Sequence, residues 1–337
     1  MSNLFHKKLS VLVLAAGKGT RMKSSRPKAL HTLSEKWMIS YALETAGRLS
    51  PRRVYLLLGH RADEIRRALN RQDLVYLDQK VQKGTGHALL TALQAIPKKD
   101  MRDYLCVLNG DAPLLQTKTL SRLVMTHIRR KAVLTLLTCN LENPRGYGRL
   151  VRDKNRHPVR IVEEKNASPE ERRQKEVNAG VYCLSLPDIL PLLKQIKADR
   201  KTREFYVTDL LGISVRQGVR VATVRSNSPE EITGINSRQD LAAVQKILWE
   251  RKTEKCMASG VTILAPETTF IDTDVRIGCD TVISPCVTIT GRTVIGKGCH
   301  IGRFSTIKNC KIGDNIRISG HITIRDMVIK RDGSIIT

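Results

Sequence analysis

Aromatic residues are scarce: Phe, Trp and Tyr make up 4% of the 337 residues. Single-stranded nucleic acid is held largely by bases stacked on aromatic rings. That class of partner is therefore not expected, although the formal net charge is +26. The basic residues are spread along the chain, with only short clusters such as Arg52-Arg53, Arg66-Arg67 and Arg129-Arg130-Lys131. This pattern reads as a solvated basic surface, one that also suits an anionic substrate. No apolar run approaches the roughly 20 residues of a membrane span. Met1 to Ser10 lacks the apolar stretch and cleavage site of a secretory signal. No membrane partner is expected, and the location is expected to be cytoplasmic. The eight cysteines form no C-x-x-C pair, so they read as reduced and mostly buried. The 41% hydrophobic content supports one large core or two smaller ones.

What is present is ordered alternation. Leu9 to Ala15 is a near-continuous apolar run, as expected of a parallel strand covered on both faces. A helical pattern runs from Met38 to Leu49, a strand from Arg53 to Leu58, a short helix from Ala62 to Leu69 and a strand from Leu74 to Leu77. Gly86 to Ile96 reads as a helix, and Tyr104 to Asn109 as a buried strand ending at Gly110-Asp111. Such alternation predicts a doubly wound, Rossmann-like α/β sheet with its ligand site at the C-terminal ends of the strands. Near Ser237, a plausible N-cap with Asp240 three residues on, Leu241, Val244, Ile247 and Leu248 fit an amphipathic helix that ends before Gly260.

From Ile271 isoleucine recurs every six residues through Ile307, then resumes after a five-residue step at Ile312, Ile318 and Ile324. A six-residue period is the signature of a parallel β-helix, with the isoleucines stacked inward. The five-residue step predicts a corner deletion. About three coils are expected, and the tail from Asp326 no longer keeps the register cleanly. The expected division is 1–236 for the α/β domain, 237–258 for a linker helix and 259–337 for the β-helix.

The loop after the first strand reads Leu14-Ala-Ala-Gly17-Lys-Gly-Thr20-Arg21-Met22, then Pro27-Lys28. Glycines after a buried strand let the backbone approach a phosphate. The loop matches neither the Walker pattern nor the dinucleotide fingerprint. Two permanent cations, Arg21 and Lys28, beside such a loop suit a triphosphate. The pattern G-x-G-T-R-M-x-x-x-x-P-K resembles the signature loop of sugar nucleotidyltransferases. Gln79 to Ala88, containing Gly84-Thr85-Gly86-His87, is similar to the uracil-binding stretch of bacterial N-acetylglucosamine-1-phosphate uridyltransferases. Leu108 to Leu114, Gly146 to Arg149, Ile161 to Ala167, Val177 to Gly180, Glu204 to Asp209 and Gly234 to Arg238 follow in that family's order. The similarity runs from about Val11 to about Ser319.

The resemblance implies Mg²⁺-dependent uridylyl transfer from UTP to N-acetylglucosamine 1-phosphate, a step toward peptidoglycan precursors. It also implies a left-handed β-helix and a homotrimer. Arg21 and Lys28 would be catalytic. Leu14, Ala15, Gly17, Gln79, Gly84 and Thr85 would bind the nucleotide. A Gln79 amide can complement part of the acceptor–donor–acceptor edge of uracil. Asp111, just beyond a buried strand, is a natural Mg²⁺ ligand, and the resemblance supplies Asn236 as the second. On the sugar side, Glu163 and Asn178 can hydrogen-bond hydroxyl and acetamido groups, and the Gly148 backbone can approach the ring. Tyr206 and Thr208 match the family's sugar-side residues. Glu164 reads as a surface residue and Lys165 as a weaker candidate. Tyr147 is as consistent with packing as with contact. His87 opens an apolar helix and reads as structural, not as a base.

Three departures stand out. Trp37 stands where the family usually has proline, and Thr233 where it usually has glutamate. The familiar bifunctional enzymes also continue through further coils that carry an acetyltransferase, so that activity is not expected of these residues. The competing readings are transfer to another sugar phosphate, such as glucose 1-phosphate, and a non-catalytic scaffold assembling through its β-helix. Keeping Arg21, Lys28, Asp111 and Asn236 together argues against the scaffold.

Overall fold

The run Leu9–Ala15 forms strand β1 in a computed structural model that describes residues 8–101, 103–330 and 335–336. Its alternate side chains enter two different cores. Val11 and Val13 pack in one, and Leu12 packs in the other. This is why the run is apolar at six of its seven positions and not only at every second one. The chain divides into two compact units: residues up to His31 with Trp37–Ser237, and Thr32–Lys36 with Arg238–Thr337. Two short strands, β2 (Thr32–Leu33) and β3 (Lys36–Trp37), follow β1 along the chain.

In the first unit, helices α1 (Met38–Gly47), α2 (Ala62–Leu69), α3 (Thr85–Ala95) and α4 (Thr117–Arg129) alternate with strands β4 (Arg53–Leu58), β5 (Leu74–Asp78), β6 (Tyr104–Asn109) and β7 (Leu134–Asn140). Strands β8 (Arg149–Arg152) and β9 (Pro158–Val162), helix α5 (Pro169–Arg172), strand β10 (Glu176–Ser185), helices α6 (Leu186–Leu193) and α7 (Asp209–Arg216) and strand β11 (Val221–Ser226) complete it. The sheet order is β11-β7-β10-β6-β1-β4-β5, with β8 and β9 attached beside β10. Strands β5, β4, β1 and β6 are parallel, and β10 runs antiparallel to both β6 and β7. One face carries α1, α2 and α4; the other carries α3, α6 and α7. A doubly wound sheet is therefore present, and β10 is an antiparallel insertion that strand–helix alternation did not foretell. The register of β10 shifts between Asn178 and Tyr182, where Gly180 has φ +70°.

One of the basic clusters, Arg52-Arg53, is not free surface. Arg52 and Arg53 each reach the fully buried Asp100 at 3.0 Å, and Tyr55 donates to it at 2.9 Å. A buried carboxylate needs such partners, because removing one would leave it uncompensated. All eight cysteines are free, and six are buried. Among the described residues no helix is long and apolar enough to cross a membrane.

The second unit contains helix α8 (Arg238–Ala258) and parallel two- and three-residue strands. These short strands stack in three columns. Ile271, Ile283, Ile289, Ile295, Ile301, Ile307, Ile312, Ile318 and Ile324 are buried, while Ile277 is partly covered. Each such side chain contributes about 1.5–3 kcal/mol relative to exposure. The pairing of Ile263, Ile283, Ile301, Ile318 and Ile336 level upon level gives four coils and the start of a fifth, one more than the hexad count suggested. The five-residue step is a corner deletion: Gly291 to Thr293 turn one corner, and only Asn309 and Cys310 turn the next. Gly291, Asn309 and Asp326 share that corner column, all with φ between +52° and +69°. Asn and Asp tolerate this left-handed backbone better than other L-residues. The tail also departs from the expectation. Val328-Ile329 pairs with Lys311-Ile312, and Ile335-Ile336 with Arg317-Ile318. The step from Ile324 to Ile329 is again five residues, so a strict search for hexads loses a register that the coil keeps. Residues 331–334 and 337 of that tail, like 1–7 of the leading segment read for a signal, lie outside the described residues.

Within this second unit, Ser34 donates its amide to Gln245 Oε1 at 2.7 Å, and Lys36 pairs with Asp274 and Lys308 with Glu35.

His127 on α4 is fully buried, shares a hydrogen bond with Thr135 and has its pKa pushed down from 6.5 to about 4 by burial. The unfolded chain therefore binds the proton first as pH falls. Its contribution is fully present above pH 6.5 and is lost as pH drops through 4, by about 3 kcal/mol in all. Replacing His127 with Asn keeps a bonding atom near Thr135 without the titration. The Tm gap between the two proteins is expected to narrow steadily from pH 7 to 4 in differential scanning. A gap independent of pH would contradict this assignment.

Candidate active site

The site forms where β1, β4, β5 and β6 end. Gly110 donates its amide to Leu14 O at 2.9 Å, locking the start of the post-β6 loop against the end of β1. Gly19 adopts φ +63°, and a Cβ there would lie 2.7 Å from Lys28 Cβ. The glycine thus lets the loop fold back on Lys28. Buried Met22, Ala29 and Leu30 anchor both ends of that turn.

Lys28 Nζ donates to Asp111 Oδ2 at 2.5 Å and to Asn236 Oδ1 at 2.9 Å. Ile235, fully buried, donates its amide to Asp111 O at 2.9 Å and thereby carries Asn236 to this point. Oxygens from two distant segments therefore meet on the Lys28 ammonium. The convergence also tests the metal reading. Two side-chain oxygens already aim at a single positive charge, and hard oxygen donors are what Mg²⁺ selects. No cluster of three or more His, Cys, Asp and Glu side chains is placed for a metal among the described residues. A metal held by these two oxygens alone would keep several waters, which is Mg²⁺ behaviour. Arg21 stands outside this cluster, exposed on the Thr20–Met22 turn.

Beside the cluster lies a cleft of about 480 Å³, lined by Leu14, Gly17, Gln79, Gly84, Thr85 and Asp111 among others. Ala15 and Lys28 instead line a small cavity of about 70 Å³ next to it. The cleft wall is built by two strands of loop. Phe205 N donates to Lys83 O at 2.8 Å, Gly86 N to Phe205 O at 2.7 Å, and Val207 N to Thr85 Oγ1 at 3.1 Å. The Thr85 hydroxyl thus accepts from the scaffold and retains its own proton for donation. Gln79 is buried and its Nε2 lies 2.9 Å from His87 Nδ1. Lys18, Gln82, Asn109 and Glu204 also line this cleft. Sequence reading did not single them out, although each lies inside or at the edge of a motif it quoted.

A second cavity of about 110 Å³ is shared by Thr85, Asn109, Glu163, Asn178, Tyr182 and Thr208. Thr208 donates to Glu163 Oε1 at 2.7 Å, and burial raises the Glu163 pKa above its usual value, against the pull of that bond. Asn178 Nδ2 donates to the Tyr182 hydroxyl at 2.7 Å, and its amide N–H donates to Gly148 O at 2.9 Å. Gly148 lies against Glu163, since a Cβ there would sit 3.6 Å from Oε1. Tyr206 turns elsewhere. Its hydroxyl donates to Thr202 at 2.9 Å, and it lines a neighbouring pocket of about 460 Å³ with Glu163 and Thr208. Glu164, read as a surface residue, is only partly exposed: it accepts from Gly146 N and sits 3.7 Å from the buried Arg149. Tyr147 donates to Ile232 O at 3.2 Å and packs on the core.

A phosphate-approaching loop, a cation held by two oxygens, a polar cleft and an adjoining polar cavity on a mixed sheet define a nucleotidyl-transferring α/β domain. Residues 11–208 match the MobA-like NTP transferase domain family, and residues 274–309 match six bacterial transferase hexapeptide repeats. Among curated proteins, the chain is 38% identical to the bifunctional protein GlmU of Koribacter versatilis over 92% of this chain and 66% of that protein. It is 39% identical to the GlmU of Carboxydothermus hydrogenoformans, over 94% and 70%. The GlmU of a Cyanothece species is 38% identical over 96% and 70%. The chain belongs to the GlmU family of sugar-1-phosphate nucleotidyltransferases. It spans about two thirds of the length of these relatives.

Gly84 has φ +103°, and a Cβ on it would lie 2.6 Å from Phe205 O and 2.9 Å from Phe205 N. Gly84→Ala is therefore expected to part the two loop strands of the cleft, costing at least about 1 kcal/mol from backbone conformation alone. A lowered Tm together with weakened nucleotide binding in calorimetry is the expected result, and wild-type values for both would rule it out.

Proposed function

We propose that this chain transfers the uridylyl group of UTP to N-acetylglucosamine 1-phosphate, releasing pyrophosphate and forming UDP-N-acetylglucosamine. The observation that carries the reading is the meeting of Lys28, Asp111 and Asn236 between two polar recesses, one holding Gln79, Gly84 and Thr85 and the other Glu163, Asn178 and Thr208. The first recess fits a base presented by a nucleotide. The second fits a small polyol with an amide: Asn178 offers an amide, Thr208 a hydroxyl, and Glu163 a carboxylate whose second oxygen is not taken by Thr208.

The sugar phosphate is already an anion near neutral pH, so its oxygen can attack the α-phosphorus without a general base. The oxygen–phosphorus bond forms as the bond to pyrophosphate breaks in line. The work of the site is then positioning and charge stabilisation. When bound at Asp111 and Asn236, Mg²⁺ would withdraw negative charge from the α-phosphate and the incoming phosphate. Lys28, which donates to these two oxygens in the structure, would then yield them to the metal and keep its positive charge beside it. Arg21, on its exposed turn, is assigned to the pyrophosphate side, where the leaving charge gathers. The Gly17–Gly19 backbone allows close approach of the triphosphate.

We place the reaction in the cytoplasm, where nucleoside triphosphates are made. Self-association as a trimer through the β-helix belongs to the same reading, supported by Phe304, Met327 and Val328, which are large, apolar and more than half exposed. We assign no acetyl transfer to the described residues. In this β-helix, His300 is exposed beside the inward Ile301, and His321 stacks on Phe304 at 4.9 Å.

With Mg²⁺, a panel of NTPs crossed with sugar 1-phosphates, read by pyrophosphate release, should show UTP and N-acetylglucosamine 1-phosphate as the best pair. A clear preference for glucose 1-phosphate would move the sugar assignment and leave the reaction class standing. Asp111→Ala is expected to abolish most turnover with the fold intact. Lys28→Ala should lower kcat by about 10²–10³ with a smaller change in KM, because its charge matters most in the transition state. Near wild-type rates in Asp111→Ala at saturating Mg²⁺ would remove the metal assignment. Light scattering at micromolar concentration is expected to give the mass of three chains, and a monomer would refute the trimer.

A further inference from the structure

We propose that His87 sets the nucleobase selectivity of the cleft by holding the Gln79 amide in one of its two orientations. The inference rests on the uridylyl-transfer reading and goes beyond it, since His87 need touch neither substrate.

Gln79 follows directly on β5, and its main-chain N–H donates to Leu58 O at 2.7 Å. The residue is 3% exposed, so its stem is fixed while its side chain forms part of the cleft wall. Its amide nitrogen lies 2.9 Å from Nδ1 of His87, which sits in the first turn of α3. The His87 ring is half-buried, with its centroid 6.4 Å from that of Phe205.

A primary amide turned over by half a rotation keeps its shape and exchanges a donor for an acceptor. Only a partner can choose between the two states. Three features hold His87 neutral: burial and the charge of Lys83 lower its pKa, and the positive end of the α3 dipole acts in the same direction. A neutral ring with its proton on Nε2 offers a lone pair at Nδ1. Gln79 then gives one N–H to His87, and Oε1 with the second N–H remains for a ligand.

That remaining pair is what distinguishes pyrimidines. Uracil presents N3–H beside the O4 acceptor. Cytosine presents a bare N3 beside the N4 amino group. In one pose of the base, the amide that complements uracil opposes cytosine at both atoms, and the turned amide does the reverse. A bidentate amide contact with a base discriminates by on the order of tenfold or more. His87 is thus a positioning residue, and its effect should appear in base choice more than in turnover.

The test measures kcat/KM with UTP and with CTP in the full chain, using N-acetylglucosamine 1-phosphate and Mg²⁺ and reading pyrophosphate release. Both nucleotides carry the same phosphates, so general charge effects cancel in the ratio. His87→Phe keeps a ring and removes the acceptor. It is expected to shrink the UTP to CTP ratio by on the order of tenfold, through a higher KM for UTP more than a lower kcat. His87→Asp places an oxygen that can only accept where Nδ1 stood, and is expected to restore most of the ratio. A merely structural histidine would not be rescued in this way. Should His87→Phe not fold, as judged by Tm, His87→Ala carries the same expectation. An unchanged ratio in the folded variant, or no recovery in His87→Asp, overturns the role of His87 while leaving the uridylyl-transfer reading intact. A wild-type protein that turns over neither nucleotide overturns both.

Discussion

The ammonium of Lys28, held between the side-chain oxygens of Asp111 and Asn236, is the contact on which the site depends. Two converging oxygens in a partly enclosed cleft repel each other's lone pairs unless a cation lies between them. That requirement shapes much of the surrounding backbone. Gly19 must turn left-handed to clear Lys28, Gly110 must dock on Leu14, and Ile235 must dock on Asp111. The buried residues Met22, Leu30 and Ile235 anchor this arrangement in the core. The site is thus rigid where charge is handled, which is what electrostatic catalysis demands.

The two recesses beside it are built by different means. The nucleotide cleft is a loop-to-loop construction, in which the Lys83–Gly86 segment pairs with Phe205 and Val207 by main-chain and hydroxyl bonds. The adjoining cavity lies against β10, whose even-numbered positions present the Asn178 amide and the Tyr182 phenol on the side of Glu163 and Thr208, with the register shift between them. Positions 178 and 182, four apart, share one face of the strand, while Val177, Ala179, Val181 and Cys183 enter the core on the other. The antiparallel insertion of β10 thus has a functional consequence: it places an irregular strand beside β6, at the edge of the ligand crevice.

The β-helix follows a simpler physical rule. One isoleucine per strand fills the interior, and corners absorb the differences in length. Two corner columns take the left-handed backbone with Gly, Asn and Asp, at Asp280, Gly298 and Asn315 and at Gly291, Asn309 and Asp326, while the third takes it with Cys286, Phe304 and His321. This explains how the coil keeps pairing through Ile336 although its sequence steps are five residues long in two places.

Much of this was legible in the chain itself. The run Leu9–Ala15, apolar at six of its seven positions, reads as a strand buried on both faces, because a one-sided strand would alternate apolar with polar residues. The isoleucine period fixes the β-helix, because side-chain stacking in a coil repeats with the chain. The Gly17–Lys28 loop and Asp111 were recognisable because their chemistry is local to one strand end. What only tertiary structure decided lies between segments. It joined Lys28 to Asp111 and Asn236, turned Tyr206 toward Thr202 and away from the Asn178 cavity, and left Arg21 exposed on its turn. It also bound His87 to Gln79, and drew Arg52 and Arg53 onto buried Asp100. Local pattern records burial and backbone preference, because these act on each residue where it stands. The partner of a polar side chain is set by which distant segments the sheet brings to its edge, and no periodicity along the chain encodes that.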